Sequence, residues 1–351
     1  MESIKKTGLY GKVVKLLKEG QITVVELGGI KPNPVLSLVR EGIKLCKDQN
    51  VDSILAVGGG SVIDSAKAIA VGARYEGDVW DFAESKAVPQ SALPIGVILT
   101  IPAAGSETSR YSVVTNEDGM WKRDVVNENN ELIRPKFAIL NPELTFTLPP
   151  YQTACGVVDI LAHVMERYFS RTKNVDLSDK LCEAVMKSVI KNGPIVLKEP
   201  NNYDARAEIM WAGSVAHNDL IGMGRAWDFV SHRIGVELSA IYDIAHGASL
   251  SIALPAWMKY MYKFYPEIFA KFATNVWNID IEYDFDPIES LILEGIKRLE
   301  AFYKEIGMPI RLSEVDISTD RFNEIAEKCD KIGNIKKVDK NDILEILKLA
   351  Q

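Results

Sequence analysis

The residues that decide the fold are Ser53-Ile54-Leu55-Ala56-Val57-Gly58-Gly59-Gly60-Ser61, a short apolar run that ends in three glycines and a serine. An unbroken apolar run of this length suits a strand buried on both faces within a parallel sheet. Beyond Ser61 the spacing predicts a helix over 62–73 that carries Asp64 and Lys67. Upstream, Tyr10, Val13, Val14 and Leu17 recur at helical spacing and stop at Gly20, and 22–27 reads as a strand. Pro32-Asn33-Pro34 breaks the chain, after which Val35, Leu38, Val39 and Ile43 open another helix. Downstream, 94–101 and 137–140 are further strand-like runs. Strands alternating with helices imply βαβ units and a parallel sheet covered on both faces.

The pattern changes at Leu148-Pro149-Pro150. Proline is tolerated in the first turn of a helix, where an amide would be unpaired anyway, so this is a natural helix start. Helical periodicity then runs near 151–169, 177–197, 204–220, 228–240, 247–263, 288–306, 319–331 and 341–350, with no strand expected. The expectation is an α/β domain over 1–149 followed by an all-α domain over 150–351.

Composition narrows the function classes. A chain of 351 residues has room for two domains with substantial cores. Its 47% apolar and 25% charged residues exclude disordered, collagen-like and coiled-coil classes. With 41 basic against 48 acidic residues and no basic stripe, a nucleic-acid partner is not expected. No segment has the run of about 18 apolar residues that a membrane helix needs, and the best stretch, 93–105, carries two prolines. Lys5 and Lys6 are not followed by an apolar signal core. Four cysteines without a C-x-x-C pair fit a reducing compartment and argue against a thiolate metal site. A soluble, cytoplasmic protein is expected.

Two constellations carry chemistry. In the first, the glycines after 53–57 let backbone amides approach a ligand, and the helix start adds unpaired N–H groups and a positive dipole end. That suits a pyrophosphate, although the motif is not G-x-G-x-x-G and a ligand-free tight turn is the simpler alternative. A second strand end, Thr100-Ile101-Pro102-Ala103-Ala104-Gly105-Ser106-Glu107, reinforces it, because ligands bind outside the carboxyl ends of parallel strands.

The second constellation involves the four histidines, His163, His217, His232 and His246. Asp159 and His163 are four apart on a predicted helix and share a face. The residues around them are apolar, so a carboxylate there needs a partner or a cation. With His232 and His246 they make a mixed oxygen–nitrogen set suited to Fe²⁺ or Zn²⁺. Each histidine taken alone also reads as a hydrogen-bonded core residue, and His217 is left as structural.

These blocks together resemble the iron-containing (group III) alcohol dehydrogenases, most closely their butanol-dehydrogenase-like branch. The resemblance runs from about Ser3 nearly to the C-terminus. It rests on Gly58–Ser61 with Asp64 and Lys67, residues 99–107, Gly156-Val157-Val158-Asp159 with His163, and His232 with Ile241-Tyr242-Asp243-Ile244-Ala245-His246-Gly247. It implies a dehydroquinate synthase-like architecture, with an α/β dinucleotide-binding domain, an all-helical metal and catalytic domain, and the active site in the cleft between them. Asp159, His163, His232 and His246 fall on its metal-ligand positions. Gly59, Gly60, Ser61 and Asp64 match its pyrophosphate and ribose contacts, and Thr100, Ser109, Lys122 and Leu144 fall on further cofactor positions. Lys122 read alone is a solvated surface lysine.

The implied activity is hydride transfer between NAD(P)H and a short-chain aldehyde or primary alcohol, with Fe²⁺, or alternatively Zn²⁺, as Lewis acid and no side-chain nucleophile. NADP(H) is expected ahead of NAD(H), and the resemblance allows a homodimer. Two departures matter. The branch commonly has a histidine four residues after the third ligand, often preceded by glutamate, where this chain has Gly235 and Val236. Relatives also carry a further hairpin and strand before the segment matching Ser3-Ile4-Lys5-Lys6, and this absence is expected to reflect N-terminal truncation. The alternatives are a catalytically degenerate metal-binding paralogue and a glycerol-dehydrogenase-like member of the same fold.

Overall fold

The apolar run after Ser53 forms β1 (Ile54–Gly58), which pairs in parallel with β2 (Ile95–Leu99) in the register Ile54↔Ile95 to Gly58↔Leu99. These elements belong to a computed structural model that describes residues 2–280, 288–329 and 331–351. The chain divides into two compact units, 1–101 with 106–147, and 102–105 with 148–351.

In the first unit β2 also pairs in parallel with a short strand, Phe137–Ile139, giving a three-stranded sheet with β2 at its centre. All five residues of β2 are buried, as a strand covered on both faces requires. Gly96 faces Phe137, and a Cβ there would meet the ring at 2.6 Å from its Cε1, so the glycine makes room for the aromatic. The expectation of cover on both faces fails at the outer strand, where Phe137 and Ile139 are 55% and 48% exposed.

Two further differences from the expected α/β pattern appear. Residues 22–27 form no strand: among the described residues no β-ladder includes them, and Ile22 and Val25 are exposed. An apolar-rich extended run becomes a strand only when another strand offers its amides and carbonyls. A hairpin of β3 (Val113–Asn116) and β4 (Trp121–Asp124) is added, paired antiparallel from Val113↔Asp124 to Asn116↔Trp121. Its turn uses Gly119 and Met120 at positive φ.

The helices of this unit start close to their sequence signals. Pro34 precedes the helix Leu36–Asp48, and the glycines after β1 open α1 (Gly60–Gly72) with Gly59 as the N-cap. Thr100 N–H donates to Gly58 O at 3.0 Å, which extends the ladder one residue past the end of β2.

The second unit is helical. The elements that matter here are α2 (Pro150–Tyr168), α3 (Asp176–Lys198), α4 (Tyr203–His217), α5 (Val230–Tyr242), α6 (His246–Met261) and α7 (Pro266–Trp277). Pro150 occupies the first helical position of α2, as its missing N–H allows. Periodicity located all of these except α7, although Pro266 followed by Ile268, Phe269, Phe272 and Val276 is a readable pattern. The expected helix at 319–331 is shorter, Phe322–Lys328. Phe169 stacks on Phe269 at 4.6 Å and lies 5.6 Å from Trp257, an aromatic centre that fixes α2 against α6 and α7.

Candidate functional site

In the first unit the glycine turn is backed by a buried polar network. Gly59 is extended and a Cβ on it would come 3.1 Å from Ile101 Cβ, so the backbone there has little room for a side chain. Asp64, one turn into α1, accepts from Ser106 Oγ at 2.6 Å and from Val113 N–H at 3.2 Å. Lys67 is fully buried and donates to Ser106 Oγ, Ser109 Oγ and Tyr111 O at 2.9, 3.2 and 2.8 Å. Burial pushes its ammonium down to about 8, and it raises the Asp64 carboxyl above the ordinary range against the pull of Lys67. Burial likewise lifts the Asp124 carboxyl to about 7.

Of the residues expected to meet a cofactor, Gly59, Gly60, Ser61 and Asp64 therefore sit together at the carboxyl end of β1. Thr100 extends β2, and Ser109 joins the Lys67 network. Leu144 lies half-buried in the 3₁₀ turn Pro142–Thr145. Lys122 corrects the solvated-lysine reading: it is on β4, 7% exposed, and donates to Asn33 Oδ1 at 2.9 Å. A contact spanning 89 positions carries no local signal. Ser106 was not singled out in the sequence, although it is the hydroxyl that joins Asp64 to Lys67.

In the second unit, α2 presents Asp159 and His163 one turn apart, α5 presents His232, and α6 begins at His246. Asp159, His232 and His246 each bring one ligand-type atom to within 4.8 Å of the others. His246 Nε2 lies 3.0 Å from His232 Nε2 and 3.9 Å from Asp159 Oδ1. His163 stands beside this trio, its Nδ1 3.6 Å from Asp159 Oδ1 and its ring stacked on His232 at 4.9 Å. Burial, then the neighbouring histidines, hold His163 well below the ordinary imidazole range, so it is neutral and has a lone pair to give. Its Nδ1 is buried and accepts or donates no hydrogen bond.

A carboxylate and three imidazoles, one of them neutral and under-bonded in a buried place, fit a divalent first-row cation. Close helix packing makes the convergence possible. A Cβ on Gly247 would fall 2.5 Å from Cys155 Cα and against the Cys155 carbonyl. Gly235 on α5 is less tightly bound by its surroundings, since a Cβ there would meet the movable side-chain end of Leu250, Cδ2 at 2.8 Å.

His217, read from sequence as structural, is part of this neighbourhood. Its ring lies 4.2 Å from that of His163, and its Nδ1–H donates to Ala104 O at 2.8 Å. Glu166 was also missed. It is fully buried on α2 and accepts from His232 Nδ1–H at 3.1 Å. Its position seven after Asp159 is a same-face spacing that could have flagged it.

Comparison with known proteins gives the family. Residues 1–142 match the family described as iron-containing alcohol dehydrogenase, and residues 153–351 match the Fe-containing alcohol dehydrogenase family, C-terminal. The chain belongs to the iron-containing alcohol dehydrogenase family. It is 40% identical to a probable NADH-dependent butanol dehydrogenase 1 of Bacillus subtilis (strain 168), over 99% of this chain and 89% of that protein. It is 35% identical to the NADPH-dependent aldehyde reductase YqhD of Escherichia coli (strain K12), over 97% and 87%. The crystal structure of the NADH-dependent butanol dehydrogenase A of Thermotoga maritima superposes with a TM-score of 0.94 at 39% identity, covering 100% of this chain and 89% of that one. The two matched stretches fall for the most part within the first and second units respectively.

Proposed function

We propose that this family member is an alcohol dehydrogenase and aldehyde reductase that moves a hydride between a nicotinamide nucleotide and a short-chain aldehyde or primary alcohol. The observation that carries the reading is the convergence of Asp159, His232 and His246, with His163 beside them, in a chain whose relatives are named butanol dehydrogenases and an aldehyde reductase.

Asp159, His163, His232 and His246 would hold the divalent cation, Fe²⁺ in first place and Zn²⁺ as the alternative. Gly59, Gly60, Ser61 and Asp64 would receive the pyrophosphate and ribose, with Thr100, Ser109, Lys122 and Leu144 as further contacts. When bound, the cation supplies a Lewis acid for the substrate oxygen and the nicotinamide supplies the hydride. The chain's own residues do the rest. Asp159 would offer a carboxylate oxygen and His232 and His246 ring nitrogens, while burial keeps His163 neutral, the state a cation needs of it. The glycine turn offers amides where side chains would block a phosphate. Val236, one turn after His232, is buried and carries no proton, so the proton exchanged with substrate is left to water or to ribose hydroxyls.

The expected preference for NADP(H) has to be set against the relative at 40% identity, which is named NADH-dependent, and the one at 35%, which is named NADPH-dependent. Assays with both nucleotides decide it. Cys46, Cys155 and Cys182 are thiols, consistent with action in a reducing cytoplasm, and a homodimer is expected in solution. Among the described residues, no helix is long and apolar enough to cross a membrane.

The test is anaerobic purification, loading with Fe²⁺ or Zn²⁺, and measurement of NADH and NADPH oxidation with butyraldehyde. Metal-dependent turnover supports the proposal. Tight metal uptake with no turnover would instead mark a binding paralogue, the reading that Gly235 and Val236 favour.

A further inference from the structure

We propose that Glu166 is a positioning residue for the metal centre, fixing the ring of His232 so that its Nε2 lone pair faces Asp159 and His246. The inference rests on the reading of this cluster as a cation site and adds a residue to it.

Position on the helix comes first. Asp159, His163 and Glu166 follow one another at spacings of four and three on α2. At 3.6 residues per turn the three fall within about 60° of one another around the helix. One face of one helix therefore supplies two donors that reach the site themselves, and a third group that reaches it through another helix.

Burial and bonding come next. Glu166 is fully buried. A carboxylate in that environment is costly unless its oxygens are occupied. Both are. Oε1 accepts from Ser231 Oγ at 2.8 Å, and Oε2 accepts from His232 Nδ1–H at 3.1 Å. The two donors are consecutive residues at the start of α5, so one carboxylate grips that helix end at two points. The backbone helps as well: Glu166 O accepts from Asp228 N–H at 2.9 Å, holding the segment that leads into α5 against α2.

The chemical consequence follows from the tautomer. A carboxylate oxygen only accepts, so Nδ1 of His232 must carry the hydrogen. Nε2 is then the unprotonated nitrogen, and it is the atom found 3.0 Å from His246 Nε2. Negative charge behind an imidazole raises its basicity and its strength as a donor toward a cation. Together with Asp159, Glu166 would give a single divalent ion two carboxylates, one as a donor and one acting through His232.

Three variants separate positioning from plain structural support. Glu166→Gln keeps the shape and can still accept from Nδ1–H, but removes the charge. Glu166→Met fills the volume and removes both acceptor and charge. Ser231→Ala leaves the His232 contact and removes only the second bond. The metal-free protein is titrated with Co²⁺, reading affinity and the visible absorption band of the bound ion, and thermal melting of the metal-free protein is recorded in parallel. Loss of a partner that orients a metal-ligating histidine typically costs about 10–100-fold in affinity. Affinity should fall about tenfold in Glu166→Gln and further in Glu166→Met, with a changed absorption band, while Ser231→Ala stays near wild type. Glu166→Met leaves the Ser231 hydroxyl and His232 Nδ1–H without their acceptor, so its metal-free melting should fall, whereas that of Glu166→Gln, which keeps an acceptor, should change little while its affinity drops.

Wild-type affinity and an unchanged band in Glu166→Met would overturn the inference. If that variant does not fold, Glu166→Gln decides alone: full affinity with an unaltered band overturns the proposal, and weakened binding supports it. A wild-type protein that binds no Co²⁺, Fe²⁺ or Zn²⁺ removes the metal centre itself, and the role of Glu166 with it. The two failures are therefore distinguishable.

Discussion

His232 and His246 are 14 positions apart and start two different helices, yet their Nε2 atoms lie 3.0 Å from each other. With Nδ1–H of His232 committed to Glu166, the facing nitrogen of His232 has only a lone pair. Two imidazole nitrogens at that separation share either a proton or a cation. Asp159 Oδ1, 3.9 Å from His246 Nε2, adds the carboxylate oxygen that the proposed cation would use.

The first prediction concerns the shared ion. His246→Ala should abolish stable metal uptake, weakening it by more than the roughly 10–100-fold that loss of an outer partner costs. Metal content after dialysis, measured by elemental analysis, checks it. Stoichiometric metal and full aldehyde reduction in the variant would remove the site from the mechanism.

A second prediction concerns how α6 is seated. Gly247 lets the start of that helix lie against the backbone of Cys155, and a methyl group there has nowhere to go because its neighbours are main-chain atoms. Gly247→Ala should therefore push His246 away from His232. Overpacking of this kind costs about 1–3 kcal/mol. Thermal melting and metal titration read the two effects, and a variant with normal stability and normal metal affinity would contradict the packing argument.

The nucleotide loop gives a third. Gly59 has an extended backbone that alanine could adopt, and its nearest neighbours are Ile101 Cβ at 3.1 Å and two further Ile101 side-chain atoms at 3.3 Å, which need to give by only a few tenths of an ångström. Gly59→Ala should fold and load metal as the wild type does. Its added methyl group should still obstruct a pyrophosphate approaching the amides. The expected signature is a KM for NAD(P)H raised about tenfold or more, equivalent to roughly 1.4 kcal/mol, with little change in melting temperature. An unchanged KM would show that the cofactor does not approach this turn.

How much was legible in sequence depended on whether the deciding information was local. The glycine turn, its flanking strand and helix, and the helices bearing Asp159, His163, His232 and His246 all follow from short-range periodicity and from breakers such as Pro149-Pro150. Residues 22–27 did not become a strand, because their pattern says which side chains share a face and nothing about a pairing partner. The hairpin around Asp118-Gly119 was readable, since that dipeptide is a strong turn signal, but its flanks hardly alternate. The contacts of Lys122, Glu166 and His217 were beyond reach for another reason, even though the helical spacing of Glu166 was readable. Their partners Asn33, His232 and Ala104 lie far away in sequence, and only packing brings them together.

The last prediction tests Asp124, the half-buried acid at the end of β4 near Asp64 and Lys67. Burial raises Asp124 from its usual 3.8 to about 7, with Asp64 adding to the rise, while the Ser112 amide at 3.0 Å and Lys67 oppose it. A carboxyl raised on folding binds a proton more readily in the folded chain than in the unfolded one. Its stabilising contribution is thus complete below about pH 4 and is lost as pH climbs toward 7. Asp124→Asn can keep the Ser112 contact through its own carbonyl oxygen and has no proton to lose. The melting temperature of the variant minus that of the wild type, both metal-free, should rise between about pH 4 and 7 and then level off. At about 1.4 kcal/mol per pH unit the full swing amounts to a few kcal/mol at most. Lys67, pushed down to about 8, titrates above this window and does not mask it. A difference that stays flat from about pH 4 to 8 would mean that Asp124 keeps an ordinary acidity, and that the polar network behind the glycine turn is better solvated than its packing implies.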